Sequence, residues 1–482
     1  MPVVIVLDCG ATNIRAIAID PNGTILASHF IKNSTQQDVI NPDYHIWDFE
    51  EIWQKLLLCA QHVIAEVGAE NVIAFTVTTF GVDGAPFDSN GKQLYPIISW
   101  KCPRTISVMQ QVEAELDRLE LYQRNGIGDY SFNTLYKLRW LKEFEPEVFK
   151  QMDKFVFISS MITHRLTGVM STDHTMAGTS MMTDLQSGGW NKSILDYLHL
   201  SELHFPPLVE AGDIVGELTF EIANLLGVNR ETPVISAGHD TQFALVGSGA
   251  DENQAFLSSG TWEILMARSY RPSLDAVALA QGVTVELDAM KGLFNPATQW
   301  LSSAVVEWVV KQFYAQEKAS DELYTIMIRE AIEAGCGAGG VVFKPHFTMN
   351  AEGQGEGVIE GLSLHTSRGQ IARAVFEGLS KQLKQRFDYL NQLCQLNDGP
   401  VVIVGGGTKN HLWNQLRADA LQRPLHIVEQ AEATVIGAAM FAFAGVGYYP
   451  SVRSAQDTMK PSLRVVQPTT EQPDKLEEIC HA

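Results

Sequence analysis

Paired cysteines are missing from this 482-residue sequence: Cys9, Cys59, Cys102, Cys336, Cys394 and Cys480 stand far apart and form no CxxC or zinc-ligand spacing. They read as free thiols of a reducing compartment. No charged segment precedes an apolar stretch at the N-terminus, because an apolar run begins at Val3, and this argues against a secretory signal. Long hydrophobic runs are also lacking. The longest stretch of small apolar residues, Val435 to Gly447, has 13 residues and reads as a buried helix, since a span needs about 20. The expectation is a cytoplasmic protein. Positive charge is scarce: 35 Lys and Arg face 56 Asp and Glu, a net charge of -21, which repels nucleic acid and acidic membrane surfaces. Small ligands remain. The sequence contains no G-x-x-x-x-G-K-[ST], no H-E-x-x-H and no G-x-S-x-G, which disfavours P-loop enzymes, zincins and α/β-hydrolases. Gly335, Gly337 and Gly340 satisfy G-x-G-x-x-G, but they follow a helical pattern and lead into a strand, the reverse of the dinucleotide fingerprint.

Glycine-centred turns are what the chain does have. In VVIVLDCGATNIRAIAID, Val3 to Asp20, an apolar strand meets Asp8, then a turn of Gly10, Thr12 and Asn13, then a second strand carrying Arg15. Gly10 admits torsions that a side chain forbids. Thr12 and Asn13 can donate to phosphoryl oxygens, Arg15 can neutralise them, and Asp8 can hold a hard cation through water. An ordinary hairpin turn explains this segment alone equally well. The plan recurs, however, in LSSGTWEIL at Leu257 to Leu265 and VVIVGGGTKN at Val401 to Asn410.

With 45% hydrophobic and 19% charged residues, the chain is long enough for two α/β domains of roughly 200 residues each. Asp48 to Val67 carries a helical apolar stripe, Asn71 to Thr79 reads as a strand, and Arg368 to Leu393 as a long amphipathic helix before strand Val401 to Gly406. The boundary is expected at Asp240 to Gly249, giving domains 1–245 and 246–482, with a surface extension from about Tyr448.

Polar chemistry gathers at SAGHDTQFALVGSGA, Ser236 to Ala250. A strand ends at Ala237-Gly238 and presents His239, Asp240, Thr241 and Gln242, the place where an open α/β sheet puts its ligand groups. Asp240 can accept a proton from a hydroxyl, and its neighbours can hydrogen-bond a polyol. The competing reading makes Asp240 the cap of the helix that follows.

DCGATN at Asp8, GHD at Gly238, SSGTW at Ser258 and GGGTKN at Gly405, in that order along nearly the whole length, resemble the FGGY carbohydrate kinases. The resemblance implies two actin-like, ribonuclease-H-like domains facing a central cleft that closes on ATP, Mg2+ and a sugar. It makes Asp240 the catalytic base and Asp8 the acidic residue near magnesium. Thr12, Asn13 and Arg15 match the first phosphate turn, Thr261 the second, and Gly405, Gly406 and Asn410 the adenosine-binding turn. Gln299 to Lys311 holds further nucleotide contacts. Asp83, Trp100, Arg104, Asn133, His239 and Thr241 are the sugar candidates. Thr78 to Asp88 and Ile97 to Thr105 resemble the members that act on L-fuculose. Val82 and Asp83 replace the Arg-Glu pair of glycerol kinases, and Cys102 stands where many members have Asp.

The implied reaction is transfer of the γ-phosphoryl of Mg-ATP to O1 of a ketose. An actin-like or Hsp70-like ATPase shares the phosphate turns but has no need of the His239-Asp240-Thr241 cluster, and a regulator without catalysis has no need of a base. The expected partners are a sugar and ATP, with neither nucleic acid nor membrane. Homo-oligomerisation is left open.

Overall fold

The computed structural model describes residues 1–39, 41–270, 272–317, 320, 322–347, 355–429 and 432–469; Cys480 lies outside them. The chain forms two compact units. The first comprises Met1–Gly249, Tyr270–Asn295 and Glu432–Pro461, the second Ala250–Ser269, Pro296–Ala431 and Ser462–Ala482.

The first unit is built on a six-stranded sheet in the order Ile214–Glu217, Pro233–Ile235, Val72–Thr79, Val3–Cys9, Asn13–Ile19, Ile25–Lys32. Val3–Cys9 is buried at every position, as a strand covered on both faces requires. It pairs parallel with Val72–Thr79 and antiparallel with Asn13–Ile19. One face packs on helix Phe49–Val67 through Ile52, Leu56, Val63 and Ile64. That helix starts as the sequence suggests, with Asp48 accepting from the Glu51 amide at 3.1 Å and two glutamates in the first turn.

The other face, lined by Val4, Val6, Ile17 and Ile19, is covered by helix Ala433–Gly445. This is the apolar stretch read as a buried helix, and no described helix is long and apolar enough to cross a membrane. Its partner is helix Asp240–Gly247, and the two meet backbone to backbone. A Cβ on Gly437 would lie 1.9 Å from the Phe243 carbonyl oxygen, and one on Gly247 1.9 Å from that of Ala433. Overpacking of this kind costs about 1–3 kcal/mol or more. Gly437→Ala is therefore expected to lower the urea midpoint of unfolding clearly; an unchanged midpoint would show that the helices separate without cost.

The stretch from Tyr448 to Met459 is no surface extension. Tyr449 donates its hydroxyl to the Pro21 carbonyl at 2.5 Å, helix Val452–Thr458 buries Ala455, and Met459 is buried beside it. Two apolar anchors in a polar segment leave too weak a periodic signal to read.

In the second unit Phe294–Leu301, Trp262–Met266, Phe256–Ser259, Val401–Val404, Leu425–Val428 and Leu463–Val466 lie side by side in that order. Helix Arg368–Cys394 opens with a capping box in which Ser367 and Gln370 satisfy each other's amides, and it buries Leu383, Phe387 and Leu390 against this sheet. Gly335 to Gly340 form a turn between helix Leu323–Glu333 and strand Val342–Lys344. No helix follows these glycines, so the dinucleotide geometry is absent there.

Candidate active site

Strand register decides the surroundings of Asp8. It lies opposite Arg15 on one neighbour and Thr78 on the other. Arg15 Nε donates to its Oδ2 at 2.8 Å and Thr78 Oγ1 to its Oδ1 at 3.0 Å. Arg15 Nη1 also donates to Glu432 Oε2 at 2.6 Å. Burial opposes the guanidinium charge, but Asp8 and Glu432 outweigh it and raise the pKa of Arg15.

The following turn is tight. The Gly10 amide donates to the Asn13 carbonyl at 2.9 Å, and a Cβ at Gly10 would press on that same oxygen. Asn33 braces the turn: its amide donates to the Thr12 carbonyl at 2.8 Å and its side chain to the Gly10 carbonyl at 2.9 Å. The Thr12 side chain is left exposed, and Asn13 Oδ1 is a buried acceptor without a partner.

Beyond strand Pro233–Ile235 the chain crosses Asp173 at Gly238, where a Cβ would fall 2.3 Å from Asp173 Oδ1. His239 occupies the N-cap position of the next helix and Asp240 is its first residue, so capping does not account for Asp240. Its carboxylate accepts from Thr241 Oγ1 at 3.2 Å and lies 3.6 Å from His239 Nε2. Burial raises the pKa of Asp240 and Asp8 adds to this, while His239 opposes it. About a third of the side chain stays open (32%). A carboxylate with a raised proton affinity and an open face can accept a proton.

His239 Nδ1 donates to Glu286 Oε2 at 3.1 Å, and Gln242 Nε2 donates to the same oxygen. Burial opposes the imidazolium, but Glu286, Asp240 and Asp173 outweigh it and lift the His239 pKa to about 9. Because this lies above the ordinary value of 6.5, the ring's contribution to stability is complete below pH 6.5 and is lost as pH rises through about 9. The stability advantage of the wild type over His239→Gln should therefore shrink from pH 6 to pH 10 in urea titrations. A constant difference would refute a charged His239.

The sugar candidates fall into two groups. Gly81, where a Cβ would sit 3.2 Å from His239 Nε2, connects His239 to Val82 and Asp83. Asp83 is fully buried, bonded to Lys137, to Trp47 Nε1 at 2.7 Å and to the Trp100 amide at 3.1 Å, while the Trp100 ring remains partly exposed. Val82 adopts a φ of 61°, held by Thr179 Oγ1 on its amide and by Thr134 and Lys137 on its carbonyl. Arg104 and Asn133 sit deeper. The Arg104 side chain is fully enclosed, stacked on Tyr44 and Trp140 and donating to Cys102, Tyr95 and Asp38. Asn133 donates to the Gly128 carbonyl at 2.9 Å.

In the second unit the two remaining glycine turns touch. A Cβ at Gly405, whose φ is 99°, would lie 2.5 Å from the Ser259 carbonyl oxygen, and one at Gly407 2.2 Å from Ser259 Oγ. Beneath them Arg417 pairs with buried Glu263, donates to Ser259 Oγ at 2.7 Å and stacks on Trp413. Thr261 is exposed, and its carbonyl accepts from the Ser302 amide at the start of helix Ser303–Phe313. Gly406 has open space around it. Asn410 caps helix His411–Leu421 by accepting from the Trp413 amide at 3.0 Å.

Sequence reasoning missed Glu286, Glu432, Lys137 and Asp173. None lies in a glycine turn, and Glu286, Glu432 and Lys137 each reach their partner over a long separation. The buried ammonium of Lys137 left one faint sign, a lysine on the apolar face of helix Thr134–Phe144.

Two units, each with glycine turns at strand ends, and a carboxylate about one-third open beside an Asp-Arg pair define a phosphoryl-transfer enzyme of the sugar-kinase class. The chain belongs to the FGGY family of carbohydrate kinases, whose N-terminal domain matches residues 3–247 and whose C-terminal domain matches residues 255–446. It is 51% identical over 474 residues to an L-fuculokinase of Haemophilus influenzae, covering 97% of this chain and 100% of that protein. It is 43% identical over 477 residues to an L-fuculokinase of Escherichia coli K12, covering 99% of each. Among solved structures, xylulose kinase from Rhodospirillum rubrum shares the fold with a TM-score of 0.90 at 22% identity, over 99% of this chain and 97% of that one.

Proposed function

We propose that this carbohydrate kinase transfers the γ-phosphoryl of ATP to O1 of L-fuculose, giving L-fuculose 1-phosphate and ADP in the cytoplasm. The observation that carries the reading is Asp240, a carboxylate of raised proton affinity with an open face, next to a sugar loop whose Val82-Asp83 pair is held rigidly. Identity of 51% over nearly full length to an L-fuculokinase supports the choice of ketose.

In this mechanism Asp240 orients the O1 hydroxyl and takes its proton as the bond from O1 to the γ-phosphorus forms and the bond to the bridging oxygen of ADP breaks. A carboxylate is a weak base for an alcohol, but in a loose transition state the proton leaves late and orientation dominates. Thr12, Asn13 and Arg15 hold phosphoryl oxygens. Thr261, Gly405, Gly406 and Asn410 hold the rest of the nucleotide, with further contacts from Gln299 to Lys311. His239, Thr241 and Trp100 contact the sugar, and Asp83, Arg104 and Asn133 brace its pocket.

The donors also suit Mg2+. Both Asp8 oxygens are already engaged, and the orphaned acceptor Asn13 Oδ1 lies in the adjoining turn. That fits an ion that keeps its waters and binds phosphate rather than an all-protein cage, and among the described residues no cluster of three ligating side chains occurs. When bound, the ion neutralises charge on the phosphoryl group; Asp8 would hold it through water.

A coupled assay of ADP release with L-fuculose, L-rhamnulose, L-xylulose, D-ribulose and glycerol tests the reading. L-fuculose should give the highest kcat/KM, with the product phosphorylated at O1. A preference for another acceptor overturns the sugar, and hydrolysis independent of any sugar overturns the kinase mechanism.

A further inference from the structure

Glu286 stands outside every sequence motif, in strand Thr284–Leu287, within the Tyr270–Asn295 segment that returns to the first unit. One of its oxygens, Oε2, accepts from two residues of the Gly238–Gln242 cluster: His239 Nδ1 at 3.1 Å and Gln242 Nε2. These donors lie on either side of Asp240 in sequence. With Nδ1 bound, the His239 ring can only present Nε2 elsewhere, and it presents it 3.6 Å from Asp240 Oδ1. Gly81 lies close to the Cδ2–Nε2 edge of the ring, and the backbone of His239 is held by its amide's bond to Thr175 Oγ1 at 2.9 Å.

We propose that Glu286 is a positioning residue for phosphoryl transfer: by fixing Nδ1 of His239 and the amide of Gln242 it sets the orientation of the imidazole against the base Asp240. This rests on the reading of Asp240 as the base. Without Glu286 nothing holds Nδ1, and the ring is free to turn Nε2 away from the carboxylate. The charged groups facing His239 are Glu286, Asp240 and Asp173, with Asp8 beyond Asp240. Their combined effect keeps the ring protonated at neutral pH, so that both of its nitrogens carry a proton, Nδ1 bonded to Glu286 and Nε2 facing Asp240 at 3.6 Å. Glu286 bonds His239 and Gln242 and not Asp240 itself, which separates its expected signature from that of a substrate ligand.

The test is a double-mutant cycle with Glu286→Gln and His239→Asn, read as kcat and as KM for ATP on whichever ketose the wild type turns over best. A wild-type preference for a different ketose leaves this test intact. Glu286→Gln should lower kcat by roughly tenfold with KM for ATP within twofold, and it should cost less than half as much, on a logarithmic scale, in the His239→Asn background. The glutamine keeps the size and one acceptor, so folding is preserved, and a thermal midpoint near that of the wild type verifies this. If the two losses simply multiply, or if Glu286→Gln turns over at the wild-type rate, Glu286 does not act through His239 and the proposal is overturned. A fall in kcat matched by the loss of folded protein also overturns it.

Discussion

Asp240→Asn is expected to lower kcat by about 100-fold or more while ATP still binds. General-base groups contribute factors of this size, and the substitution preserves shape and the bond from Thr241 Oγ1. Because His239 and not Asp240 holds the N-cap position, little stability should be lost. The result is read from steady-state kinetics on the preferred ketose together with nucleotide binding by calorimetry. Turnover near that of the wild type would leave Asp240 without a catalytic role, and loss of ATP binding would make it a nucleotide ligand.

Lys137→Met should have the largest effect on folding. Lys137 and Asp83 form an ion pair with side chains 2% and 0% exposed. Burial pushes the lysine pKa down and that of Asp83 up, each partner opposing the shift of the other. Removing one member of a buried pair leaves an uncompensated charge, at a cost of about 3–5 kcal/mol. The loss should appear in the urea midpoint of Lys137→Met and be partly recovered in Asp83→Asn/Lys137→Met, where the stranded charge is gone. Failure of the second substitution to recover any stability would mean that Lys137 acts through its bond to the Val82 carbonyl instead.

Much of the candidate site was legible because its residues are local. Asp8, Gly10, Thr12, Asn13 and Arg15 lie within one hairpin, and antiparallel register brings Asp8 and Arg15 face to face. His239 to Gln242 are likewise contiguous at a strand end. Helices with a long apolar stripe, such as Phe49–Val67 and Arg368–Cys394, were readable to within a residue or two. The unreadable part is tertiary. Glu432 meets Arg15 across 417 positions and Glu286 meets His239 across 47, and no period or motif encodes such pairings. Arg104 illustrates a second limit: its residue type suits a sugar contact, but only packing reveals that its guanidinium is enclosed between two aromatic rings.

The covering of the first sheet by helix Ala433–Gly445 also dictates when this protein can fold on the ribosome. Once Gly249 has been made, all six strands of the first sheet have been synthesised, yet the face lined by Val4, Val6, Ile17 and Ile19 lacks its covering helix until roughly 200 further residues emerge, which takes about 10–40 s at ordinary elongation rates. Throughout that interval the nascent chain carries an apolar surface of the kind that chaperones recognise and that drives aggregation. A ribosome stalled before codon 433 therefore holds a first unit that cannot close, and truncation of the last 50 residues should yield an insoluble product even though Asp240, the Gly10 turn and the Val82-Asp83 loop have all been synthesised.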